Sequence, residues 1–130
     1  MRKILSIGAL AAMVCLSACA NTAQGKLRQT VFNLDSAYHL LANPMPDVMA
    51  GKVPGVTVSD ADKILIKRAS QTVFNQLSAL ETSIEAGSSI TETAVSSLQA
   101  DFSSLTTCWL GAKAGTMPTT CAATFPEVSK

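Results

Sequence analysis

The chain is poor in the residues from which most active sites are made. It has one histidine, one tryptophan and one tyrosine in 130 residues, and charged side chains make up only 15% of it. A single His39 excludes a histidine-based metal cluster. The Ser-rich stretches have no nucleophile elbow beside them, and no phosphate-cradling glycine loop or dinucleotide fingerprint occurs. Asp60 and Asp62 lack the further oxygen ligands of a calcium loop. Glu81 and Glu85 stand four apart on one helical face, which makes a poor cleft. No catalytic residue, metal site or cofactor is therefore expected, and the chain is not expected to be an enzyme. Charge is balanced as well, with ten Lys and Arg against nine Asp and Glu. A basic footprint for nucleic acid is absent.

Hydrophobic residues are plentiful, at 48%, and unevenly spread. Arg2 and Lys3 form a positive start. Ile4 to Leu16 carries no charge, and the small residues Ser17 and Ala18 follow. Charge, a short apolar run and a small-residue cut site form the anatomy of an export signal. The run is shorter than the roughly 20 apolar residues that a spanning helix requires. Removing residues 1–18 leaves eight basic and nine acidic residues, a net charge of −1 with His39 neutral.

Leu16-Ser17-Ala18-Cys19 closes this signal and resembles the lipobox of bacterial lipoproteins. The resemblance covers about the first twenty residues. It implies cleavage between Ala18 and Cys19, a thioether-linked diacylglycerol on Cys19, and fatty acylation of the new amine. Each buried CH₂ of an acyl chain contributes about 0.8 kcal/mol, and one chain alone anchors only marginally. Two or three would hold permanently. Ala20 stands where Asp commonly retains such proteins at the inner membrane of Gram-negative bacteria. The implied location is the cell envelope, lipid-anchored at the outer membrane and facing the periplasm.

Four cysteines are present. Cys15 leaves with the signal and Cys19 is assigned to lipid. Cys108 and Cys121 remain, outside the reducing cytosol, where a disulfide is the default. Metal binding or a redox pair are the alternatives; neither has a nearby His or a C-x-x-C spacing behind it.

Residues 19–25 read as a short polar tether, residues 26–112 as a helical domain and residues 113–130 as a tail. Leu27, Val31, Leu34, Tyr38 and Leu41 recur at three and four, which predicts a helix over 26–42. Pro44 ends it. Residues 43–58 contain three prolines and two glycines and show no period, so they form a long connector. Met45, Val48, Met49, Val53, Val56 and Val58 make it apolar. It is either an extended strap packed along the bundle or a binding loop that faces a partner or the membrane. Ser59 caps a second helix, with Ile66, Val73, Leu77, Leu80 and Ile84 on its apolar face and Gly87 at its end. A third helix is predicted over 88–112, with Ser89 and Glu92 as a capping box and Val95, Leu98, Phe102, Leu105 and Trp109 inward. The expected fold is an all-α, small three-helix bundle with the connector between its first two helices. The Cys108–Cys121 disulfide would pin the tail.

Gln29-Thr30-Val31-Phe32-Asn33 recurs as Gln71-Thr72-Val73-Phe74-Asn75. Each copy places Val on the apolar stripe and Phe beside it, so association between copies of the chain is one expectation. The domain also resembles small helical lipoproteins of phage-derived gene modules, through Ala37-Tyr38, the 43–58 connector and the last two helices. The expected function is a non-catalytic interaction or structural module with another envelope protein as partner. The alternative is a carrier of small apolar ligands, with a pocket between helices lined by Met45 and Met49.

Overall fold

The computed structural model describes the backbone of residues 5–127 and the side chains of residues 23–127. It is all-helical, with no strand among the described residues. The elements are α1 (Leu5–Ala42), α2 (Met45–Met49), α3 (Asp60–Glu85), α4 (Glu92–Ala114) and α5 (Thr120–Thr124).

The apolar stripes read from the sequence are the inner faces. Val31, Ile66, Val73, Leu98 and Leu105 are fully buried, and Leu77 and Trp109 are nearly so. Leu27, Leu34, Leu41, Ile84 and Phe102 pack at the margin of the same core. Helix α3 packs most extensively on α4, and α1 lies against both. The short link 86–91 turns the chain back, so α3 and α4 run antiparallel. Gln76 Nε2 donates to Asp101 Oδ2 at 2.6 Å across their seam. Tyr38 of α1 meets Ser70 and Phe74 of α3, while Gln24 reaches Ile90 just beyond the far end of α3. Helices α1 and α3 are therefore antiparallel as well.

Local chemistry sets the helix ends. Ser59 Oγ accepts from the Asp62 N–H at 3.2 Å, and Asp60 and Asp62 sit in the first turn beside the positive end of the dipole. Helices α3 and α4 finish in the same way. Gly87 N–H donates to Ile84 O and Ser88 N–H to Ser83 O; Gly115 N–H donates to Ala112 O and Thr116 N–H to Gly111 O. This is the Schellman pattern, and it places Gly87 and Gly115 at positive φ, where a Cβ would be strained.

Expectations for the start of α1, the cap of α4 and the connector differ from the structure. The first helix does not begin at Lys26: α1 is continuous through residues 19–25, and Gln24 is bonded to the α3–α4 link. The sequence there is polar but contains no residue that breaks a helix before Gly25. The cap of α4 is Thr91, whose Oγ1 accepts from Ala94 N–H at 3.1 Å. Residues 88–90 are not helical, because the main chain of Ile90 is already engaged by Gln24 and its side chain is buried. The Ser89–Glu92 capping box is thus set aside. The connector is not wholly extended either. Pro44 and Pro46 stand where a first turn needs no N–H, and α2 follows, with Met45 and Val48 turned inward. With Val58 also buried, and Met49 and Val56 at the core margin, the two ends of the connector pack against the core, while residues 50–55 between them are exposed.

The outer faces are rich in hydroxyls that satisfy themselves locally. Thr30, Thr72, Thr82, Ser83, Thr106, Thr107 and Thr124 each donate to the carbonyl four residues earlier. The repeated pentamer is structurally equivalent in its two copies. Gln29 and Gln71 each donate to the Asn four residues on, at 3.1 and 2.8 Å. Val31 and Val73 are fully buried, while Phe32 and Phe74 are 48% and 44% exposed.

Candidate functional site

Cys108 and Cys121 are joined as a disulfide with their Cα atoms 5.9 Å apart. Cys108 stands near the end of α4 and Cys121 in α5, and both are buried. The bond closes the return of the chain after Gly115. Phe125 follows it into the core at 2% exposure, so the segment after α4 is partly core and not only a tail. Gly111 makes the return possible: a Cβ there would lie 2.6 Å from Pro118 Cδ and 3.0 Å from Thr116 O. Lys113 lies over the Trp109 ring, 5.4 Å from its centre.

The side chains of Ala18 and Cys19, where the sequence places cleavage and lipidation, lie outside the described residues. The described part of α1 begins to engage the bundle five positions beyond Cys19. There Gln24 Nε2 donates to Ile90 O at 2.8 Å and Ile90 N–H donates to Gln24 Oε1 at 2.9 Å. Among the described residues no helix is long and apolar enough to cross a membrane. Among the same residues, no group of three or more His, Cys, Asp and Glu is arranged to hold a metal ion.

A concavity of about 700 Å³ forms an open cleft at the other end of α1. Its volume falls within the range of about 300–1,000 Å³ typical of small-molecule sites. One wall is the corner between α1 and α2, made by Tyr38, Ala42, Met45, Pro46 and Met49. It is apolar, and the buried Met45 and Tyr38 give it depth. The opposite wall is α3, which contributes Lys63, Lys67, Ser70 and Gln71. Their spacing of four, three and one keeps them on one helical face. Tyr38 Oη and Ser70 Oγ are 2.9 Å apart and tie the two walls together at one edge. Met45 and Met49 were legible as candidate lining residues. The facing cations were not singled out, although the i,i+4 spacing of Lys63 and Lys67 was available as a signal.

A second polar cluster lies further along the α1–α3 seam. His39 Nε2 is 3.3 Å from Asp35 Oδ1. Burial raises the Glu81 carboxyl above its ordinary value; the charges of Asp35 and Glu85 and a hydrogen bond with Asp35 add to the rise, and His39 opposes it. His39 itself is largely exposed.

Comparison of the chain with protein-family profiles, with curated proteins and with solved structures finds no match.

Proposed function

We propose that the chain is a bacterial envelope lipoprotein whose mature form begins at Cys19 and is held by acyl chains on that residue to the outer membrane, facing the periplasm. The reading rests on Leu16-Ser17-Ala18-Cys19 standing at the end of a charged and then apolar segment. Only a thiol can form the thioether, and small neighbours give a membrane peptidase access to the backbone. The domain it carries is a three-helix bundle strapped by residues 43–58, acting as a non-catalytic interaction or structural module for another envelope protein. Five helical residues from Cys19 to Gln24 span only about 7.5 Å. The end of the bundle formed by Gln24, Gly87 and Ile90 would therefore sit next to the bilayer.

A second reading is a carrier of small apolar ligands. The cleft favours it, since Met45 and Met49 line the wall where such a pocket was expected. Metabolic labelling with radioactive palmitate, comparing the chain with Cys19→Ser in a bacterial host, tests the anchor. Label in the membrane fraction for the unaltered chain alone supports lipidation; equal label or equal solubility for both overturns it.

A further inference from the structure

We propose that the cleft between the α1–α2 corner and α3 binds a single-chain amphiphilic anion, with its alkyl chain against Met45, Met49 and Tyr38 and its carboxylate or phosphate against Lys63 and Lys67. The proposal rests on the ligand-carrier reading and adds the charge and shape of the ligand.

The two walls differ in kind. The α1–α2 wall offers thioether, methyl and ring surface, which adapts to a flexible chain. The α3 wall offers two ammonium groups one helical turn apart, and no carboxylate lines the cleft. Lys63 Nζ is 3.5 Å from Asp60 Oδ1, but Asp60 is 97% exposed, and such a pair is too weak to keep the cation from a better partner. Lys67 has no ion pair among the described residues. A neutral apolar ligand would leave the lysines unused, and a cation would be repelled by both. A ligand with an alkyl chain and an anionic end satisfies both walls at once.

Position argues for a free ligand over a lipid of the anchoring bilayer. The cleft lies at the C-terminal end of α1. Eighteen residues of helix separate Gln24 from Ala42, a rise of about 27 Å. A chain held at Cys19 presents the cleft away from the membrane that holds it.

The test is photo-crosslinking of the full-length protein in isolated bacterial membranes. Three diazirine probes of equal chain length carry a carboxylate, a hydroxyl or a trimethylammonium end. Crosslinked peptides are mapped by mass spectrometry. The carboxylate probe is expected to label the peptides containing Met45–Met49 at least fivefold more than the ammonium probe, and Lys63→Gln with Lys67→Gln should abolish that preference. Equal labelling of this site by all three probes, unchanged by the substitutions, overturns the anion assignment while leaving a carrier of apolar ligands. Labelling confined to the start of α1, or none in the cleft, overturns both. Protection of the cleft by an acidic peptide but not by excess decanoate overturns the proposal in favour of a protein partner. Intact disulfide and unchanged helical circular dichroism in the double variant show that it remains folded.

Discussion

The side-chain amide of Gln24 and the main chain of Ile90 form a closed pair of hydrogen bonds, 2.8 and 2.9 Å long, between groups 66 positions apart. The amide does for Ile90 what a neighbouring strand would do, satisfying both its N–H and its C=O. It fixes the start of the described bundle to the turn between α3 and α4, and it explains why residues 88–90 leave the helix. Gln24→Ala should leave both main-chain groups of Ile90 without a protein partner at a part-buried site, at a cost of about 1–3 kcal/mol. Urea unfolding and amide exchange at Ile90 measure it. Gln24→Glu should rescue little, because a carboxylate can accept from the Ile90 N–H but cannot donate to its C=O.

The disulfide closes a loop with a sequence separation of 13. Reduction, or Cys108→Ser with Cys121→Ser, should cost about 3 kcal/mol on the chain-entropy estimate. Thermal melts with and without reductant check this. Because Phe125 is buried beyond Cys121, loss of the bond should also loosen the last residues, seen as faster proteolysis after α4.

Gly111 is required by close approach and not by backbone angle. Gly111→Ala would push a methyl group to 2.6 Å from Pro118 Cδ. The expected loss is about 1–3 kcal/mol, typical of overpacking. Adding Pro118→Ala should recover part of it by removing the ring carbon, while Thr116 O, at 3.0 Å, remains close. A double-mutant cycle in urea measures the coupling.

Glu81 should make stability fall as pH rises. Its folded carboxyl is raised by burial and then by Asp35 and Glu85, so the folded state takes the proton before the unfolded state does. Above the raised value the ionised carboxylate destabilises the fold; below about 4.5, the unfolded value, the penalty has vanished. Glu81→Gln should therefore be more stable than the unaltered chain at pH 7, and the difference should close by pH 4. Urea midpoints at the two pH values test the sign, and an equal difference at both would contradict it.

The inner faces of α1, α3 and α4, the Ser59 cap and the Cys108–Cys121 pair were legible because each depends on spacing or on a residue's own chemistry. Three-four periodicity is local, and Cys108 and Cys121 are the pair that remains under the proposal that Cys15 leaves with the signal and Cys19 carries lipid. What escaped depended on distant partners. Nothing near Ile90 announces that Gln24 will hold it, so the Ser89–Glu92 spacing points to a start two residues ahead of the actual cap, Thr91. The helix α2 was hidden because Pro44 and Pro46 read as breakers, although a first turn tolerates them. Met45 and Met49 could be picked as lining residues from their apolar character in a loop. The cationic wall that faces them forms only when the corner after Ala42 folds back on α3, a tertiary event with no local signature.

The central claim concerns Cys19, and intact-mass spectrometry of the protein purified from bacterial membranes tests it most directly. The expected species begins at Cys19 and carries diacylglycerol on sulfur with a further acyl group on the amine. A chain that retains residues 1–18, or a free thiol at position 19, would contradict it.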